Sequence, residues 1–315
     1  MIWVTWRQQR TETLIAALIL ALAVAVLVPT GLHMASVYDH DGVATCLGHP
    51  TGTCQDKLDE FAGRWDSLVN LAGWFNVLPG LIGALLAAPL LLEFERGTFR
   101  LAWTQSITRG RWLTARLALI GIAALSAAVL LTLLLTWWRA PLDHVGARMP
   151  DGFDFEGLVP AAYTLFAAAL VIAIGVVLRR TAASIGLALV AFFVARIVIA
   201  TLVRPHYEAA VHKTWVGGAG PQLHNAWILS ETHGLRAARG YPNDPAIAEA
   251  CTKNASTRTF EAACLAKHHI TEYATTVFQP DSRFWPFQGI EAGIFGALTL
   301  ALVGFSVWWI RKRIN

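Results

Sequence analysis

The sequence predicts an all-α polytopic membrane protein. It reads as six transmembrane helices, an N-terminal interfacial helix, a short basic cytoplasmic elbow after the second span, and a sizeable extracellular segment between spans five and six. Three observations carry this. Hydrophobic residues fill 55% of the 315 positions and charged residues only 15%, against about 25% charged in soluble domains. The apolar residues gather into six runs, each near the ~20 residues that cross a bilayer. Arginines cluster at one set of run ends, as the loops on the cytoplasmic side require.

The chain opens MIWVTWRQQRTE. Trp3 and Trp6 are three apart, as are Arg7 and Arg10, so a helix would hold rings on one face and charges on another. That pattern suits the interface plane; the plainer reading is a positive flank that orients the first span. A secretory signal is the weaker reading, because the apolar run outlasts an h-region and more spans follow. The spans cover about 14–35, 68–92, 113–137, 158–178, 182–203 and 289–310. Arg7 and Arg10 precede the first. Arg96, Arg100, Arg109 and Arg111 separate the second from the third, Arg179 and Arg180 separate the fourth from the fifth, and Arg311, Lys312 and Arg313 follow the sixth. All four clusters share one side when both termini are cytoplasmic. Pro79-Gly80 within the second span either breaks it or leaves a packed kink.

Three segments then face outward: 36–67, 139–156 and 204–287. The second is short and acidic toward its end. The third is the longest polar stretch, with turn residues at Gly217, Gly218, Gly220 and Pro221 and helix-compatible runs at Asp244–Ala250 and Thr257–Ala274. Cys46 and Cys54 lie in the first segment, Cys251 and Cys264 in the third, where disulfides persist. Local pairing within each segment is one reading, and free or crosswise-paired thiols the other; spacing does not set connectivity.

Net charge is +4 and is spread over span flanks rather than one contiguous face, so nucleic acid is not an expected partner. No G-x-x-x-x-G-K-[ST] run is present to cradle phosphates, nor H-E-x-x-H or G-x-S-x-G. His268-His269, just past Cys264, reads as a solvated pair, with a metal site the alternative. The chain is therefore read as non-catalytic, with no metal and no cofactor of its own. Arg196, in AFFVARIVIA, is costly at lipid depth, about 2.5–3.5 kcal/mol on insertion scales. It is expected to pair with Glu291 or to line an outward cavity, the alternative being that it snorkels to the surface. Tyr163, Phe166, Phe192, Phe193 and Phe305 are candidate pathway aromatics.

The stretch from Glu93 to Trp112, EFERGTFRLAWTQSITRGRW, forms a basic elbow between two spans. Trp103 and Trp112 suit a membrane–water boundary. The elbow is either a solvated connector or a docking surface. Its pattern E-x-E-x-G-T-x-R, then S-x-T-R-x-R-W, resembles the loop after the second span in bacterial ABC-2 type transporter permeases. The run R-F-W-P-F-Q-x-I-E-A-G from Arg283 to Gly293 is similar to the start of the last span in a sub-group of them.

That resemblance implies a cytoplasmic coupling helix seated in a separate ABC ATPase subunit, which binds ATP and Mg. Glu93, Glu95, Gly97, Thr98, Arg100, Ser106 and Arg109 are then partner-binding residues, with Arg96, Arg100 and Arg109 the candidates for bidentate contact with acidic groups of the partner; the alternative for Glu93 and Glu95 is that they orient the elbow from within. Trp3, Trp6 and Arg7 brace the same partner. It also implies a second permease subunit and location in the bacterial plasma membrane. The implied activity is export of an amphipathic drug, antibiotic or lipid-like compound. An envelope-lipid enzyme and a sensor or immunity protein remain the alternative classes.

Overall fold

A computed structural model describes residues 10–48, 52–98, 109–146, 148–216, 223, 226–237, 245–253 and 258–313. The chain divides into two units, one running to Tyr207 and resuming at Phe284, the other spanning Glu208–Arg283.

The first unit is helical. Its elements are α1 (Arg10–His40), α2 (Val43–Gly48), α3 (Gly52–Ala72), α4 (Leu78–Arg96), α5 (Arg109–Val145), α6 (Val159–Leu178), α7 (Thr181–Val198) and α10 (Phe284–Arg313). Among the described residues, six helical stretches are long and apolar enough to cross a membrane: Ala17–His40, Asp56–Arg96, Gly110–Val145, Val159–Leu178, Thr181–His206 and Asp281–Arg313. The six-span expectation therefore holds. The expected N-terminal and elbow helices, with Trp3, Trp6, Arg7, Arg100 and Ser106, fall on residues outside those described.

α6 organises the bundle, packing against α4, α5, α7 and α10. Its buried positions go right round the helix, from Val159 to Val176. Lipid tails are as apolar as leucine, so burial alone does not hold spans together and close backbone approach must. Gly83 on α4 supplies one approach. A Cβ there would lie 2.7 Å from the Thr164 carbonyl oxygen and 2.8 Å from Ala168 N. Gly175 on α6 supplies the reciprocal one, where a Cβ would run into the Leu91 side chain.

The second span is interrupted. A 3-10 segment, Gly73–Val77, ends the helical run of α3, and α4 restarts at Leu78 with Pro79 in its first turn. Proline belongs there because the first-turn N–H has no intrahelical acceptor. Gly80 then lets the Phe192 ring approach, 2.9 Å from where a Cβ would sit. Pro89 lies inside α4 without ending it. α3 itself is amphipathic: Phe61 and Trp65 are buried and meet Tyr38 and His33 of α1, with ring centroids 5.8 and 5.5 Å apart. The stretch 36–67 is thus largely helical, and α1 continues to His40.

The second unit holds strands that sequence reading did not anticipate. β1 (Val211–Val216), β2 (Trp227–Ala237) and β3 (Ile270–Gln279) form an antiparallel sheet in the order β1-β3-β2. Val211 faces Phe278, Trp215 faces Ala274, and Ala237 faces Ile270. Two helices, α8 (Pro245–Lys253) and α9 (Arg258–Lys267), precede β3. The helix-compatible run to Ala274 is cut at His269, which adopts φ 55°. From Ile270 on, the β-branched and aromatic sequence ITEYATTVF favours a pleated, half-buried surface over a helix. Cys251 and Cys264 join α8 to α9 with Cα atoms 5.6 Å apart, and Cys46 joins Cys54 at 5.2 Å. Cys251, Leu265 and Ile270 form this unit's small core. Its two chain ends are tied by Arg283, which pairs with Glu208 at 2.7 Å and donates to the Ala209 carbonyl at 2.7 Å.

Gly83→Leu is expected to force α4 off α6. Overpacking costs about 1–3 kcal/mol, so thermal unfolding in detergent should shift down by several degrees, whereas Gly121→Leu, a site with open space around it, should leave the transition in place.

Candidate functional site

Two polar clusters occupy opposite ends of the helical unit. The first is at the elbow, on the end that carries Arg96, Arg179 and Arg180. α4 stops at Gly97, in the left-handed region at φ 70°, a conformation that glycine adopts without strain. Thr98 follows, exposed. α5 begins at Arg109, whose backbone alone is described. The roots of the elbow are clamped together. Arg116 of α5 pairs with Glu93 of α4, both largely buried, and Trp112 meets Phe94 edge-on at 6.1 Å. Trp112 is therefore a buried packing residue rather than a boundary ring, because Phe94 offers it an apolar partner. Arg96 stays exposed.

Glu95 points elsewhere: its Oε2 accepts the Thr181 backbone N–H at 2.9 Å. The residue before α7, Arg180, makes no side-chain cap of its own. Glu95 thus satisfies a first-turn amide and places a negative charge where the helix dipole favours one. It joins the last turn of α4 to the first turn of α7.

The opposite end is held by one loop, DGFDFEG from Asp151 to Gly157. Asp154 faces α6 and α7, while Glu156 faces α5. Arg204 reaches both Asp154 and Glu291. Its Nε donates to Glu291 Oε2 at 2.8 Å, and its Nη2 donates to Glu291 Oε1 at 2.8 Å and to Asp154 Oδ1 at 2.6 Å. Arg196 pairs with Asp154 Oδ2 at 3.3 Å and donates to the Asn76 carbonyl at 2.7 Å and side-chain oxygen at 3.1 Å. Tyr163 OH lies within reach of Asp154, at 3.0 Å, and of Glu291. Tyr207 donates to Glu291 Oε2 at 3.0 Å. Two guanidiniums and two carboxylates balance, as buried charge requires. Burial pushes the Asp154 carboxyl up, but Arg204 and then Arg196 outweigh it and hold the group below the usual range. Burial, then Glu291, raises the Tyr207 phenol.

Arg196 and Arg204 are eight residues apart. On a pure α-helix at 3.6 residues per turn they would diverge by about 80°. A π segment, Ile199–Val203, separates them; its wider turn rotates less per residue and returns both to the face of Asp154. Gln288 of α10 completes the joint. It accepts the Leu158 and Val159 N–H groups at 3.0 Å each and donates to the Phe153 carbonyl at 2.7 Å.

Glu156 sits with Arg139 at 3.7 Å and Arg148 at 3.5 Å, and Arg139 also meets Asp143 at 3.6 Å. Burial, then the hydrogen bond and charge of Asp143, push the Glu156 carboxyl up to about 8 despite both arginines. Arg148 also lies over the Phe284 ring at 4.2 Å.

The expected Arg196–Glu291 pair does not form directly. Arg196 meets Asp154, Arg204 meets both Asp154 and Glu291, and Asp154 with Tyr163 links the two guanidiniums. Nor does Arg196 snorkel free. Sequence reading placed Arg204 and Asp154 in outer loops and so missed them. The available signal was the acidic alternation D-x-x-D-x-E beside a short span whose end carries two arginines. Of the candidate aromatics, Tyr163, Phe166 and Phe192 form one packed cluster with Phe295, with centroids 4.8–6.4 Å apart. Phe193 meets Phe192 at 5.3 Å, while Phe305 stacks with Trp308 and Trp309 instead. An apolar cavity of ≈390 Å³ lies between α1, α3 and the start of α4, lined by Ile19, Leu22, Val26, Leu71, Trp74 and Trp138. A second of ≈230 Å³ shares Ile19, Ala23 and Leu78 with it. His268 is near the Cys251–Cys264 bridge, but sulfurs bonded to each other are not the thiolates a metal needs.

Arg204→Ala strands the fully buried Glu291, and breaking a buried pair costs about 3–5 kcal/mol; calorimetry in detergent should show a large loss, with Arg204→Lys intermediate. Glu156 gives a pH signature. Its folded-state value exceeds its unfolded one, so the native state holds the proton more tightly. Stability should fall as pH rises from the ordinary 4.5 through about 8,. Glu156→Gln should flatten that slope.

No curated protein and no solved structure matches the chain. The family model described as ABC-2 membrane transporter related matches residues 17–204, more than half of it. The match takes in both elbow roots, the acidic loop and both guanidiniums. The chain is thus a multi-pass membrane protein that belongs to the ABC-2 membrane transporter related family.

Proposed function

We propose that the chain is the transmembrane subunit of an ATP-binding cassette transporter that exports an amphipathic small molecule. A separate cytoplasmic ATPase binds ATP and Mg and docks on the elbow, and a second permease subunit completes the assembly in the bacterial plasma membrane. Both termini are cytoplasmic in this reading, which puts the disulfides outside. The observation that carries it is the clamped elbow within the matched family region. Glu93–Arg116 and Phe94–Trp112 fix the two helix ends, so a short connector leaves a rigid base on the arginine-bearing side. Loose helix ends would dissipate a push, whereas ends held together pass it to α4 and α5. Arg96, Arg100 and Arg109 offer forked donors to carboxylates of the motor. Trp3, Trp6 and Arg7 brace it, with Thr98 and Ser106 at the contact.

The adjoining apolar cavities support an amphipathic cargo. A volume of ≈390 Å³ is within the range of small-molecule sites, about 300–1,000 Å³, and its lining suits a hydrocarbon moiety.

Pull-down of the tagged chain from its native host is the test. A P-loop ATPase should co-purify, and Arg100→Glu should cut its recovery about tenfold or more, since like charges across an interface cost several kcal/mol. Undiminished recovery with Arg100→Glu, or no ATPase with the unsubstituted chain, counts against the reading.

A further inference from the structure

We propose that α7 is a sliding link between the elbow and the acidic loop at the far end, with Glu95 the positioning residue at its input and Arg204 at its output. The inference rests on the coupling reading above and names the route that the coupling takes.

α7 is held differently from its neighbours. Its buried residues are Ser184, Ala188, Phe192 and Arg196, one every fourth position and so one narrow stripe. Leu187, Val190, Val194 and Ile197 on the other faces are exposed. The first half of the stripe is Ser and Ala, and Phe192 rides over Gly80. Small residues make shallow ridges, and packed helices that interlock weakly move by shear. α6, buried on every side, cannot move that way.

Phe192 is the one large side chain in the stripe, set against Tyr163 and Phe166, and beyond it α7 is held along its axis by polar contact at its ends. At one end, Thr181 N–H is held by Glu95 at 2.9 Å, two residues before Gly97 opens the elbow. At the other, Arg196 and Arg204 are held by Asp154 and Glu291 at 2.6–3.3 Å. The ends are about 35 Å apart at 1.5 Å per residue. A pull on Glu95 therefore loads α7 axially. The load reaches the loop through Asp154, the residue that both guanidiniums share. The π segment Ile199–Val203 lies just before the output, where a register change is least costly.

Hydrogen–deuterium exchange on the purified full chain in lipid nanodiscs tests this. The loop amides are protected by Phe155 and Glu156 N–H on the Gly152 carbonyl and by Gln288 on Leu158 and Val159. Glu95→Ala should speed exchange over 152–159 about fivefold or more, the low end of ordinary site-to-site coupling. Exchange in the α6 core, 167–173, should not change. Glu95→Gln keeps an acceptor oxygen and should stay near wild type. Linkage is reciprocal, so Arg204→Lys should speed exchange over 181–184. Change confined to the substituted end in both variants overturns the link, as does equal acceleration in the α6 core. ATPase recovery is read on the same samples. If none comes down even with the unsubstituted chain, the coupling reading fails, while the two-ended exchange result still decides the link.

Discussion

A buried guanidinium must find a carboxylate, and in this protein two of them find the same one. Asp154 joins Arg196 to Arg204, and Glu291 completes the balance. The ends of α6, α7 and α10 meet where these four groups meet. An isolated charge there would be expelled or neutralised, so the pairs hold these three helix ends together. Gln288 extends the same logic to the backbone, because the first amides of α6 have no partner within their own helix.

The elbow end is solved with the same materials and a different outcome. Glu93 turns inward to Arg116 and makes a closed pair that locks α4 to α5. Glu95, two residues on, lies on another face of the same helix and caps α7. One helix end thereby serves two neighbours. Residues that pattern alone groups as one acidic pair have separate tasks, one rigidifying and one connecting.

Between these ends the packing is uneven. α6 is buried throughout and makes close glycine contacts with α4, which leaves it little freedom. α7 is bound along a single stripe. A bundle with one fixed and one loosely keyed helix has a built-in direction for movement. The inserted unit is closed on itself by the Cys251–Cys264 bond and by Arg283 with Glu208, so a small core of Cys251, Leu265 and Ile270 suffices.

Six spans, the arginines at their ends and the two cysteine pairs in polar segments follow from the sequence by itself, because hydropathy over ~20 residues and charge at run ends are local properties. The partners of buried charges are not local. Arg196 was legible as a residue in need of a carboxylate, but Asp154 and Glu291 lie 42 and 95 positions away in the chain, and only the packing of α6, α7 and α10 chose between them. The strand at Ile270–Gln279 was equally out of reach, since its pairing with β1 and β2 decides its conformation over a helix-tolerant lead-in. Tertiary structure settled what the sequence left open wherever the deciding contact came from another helix or strand.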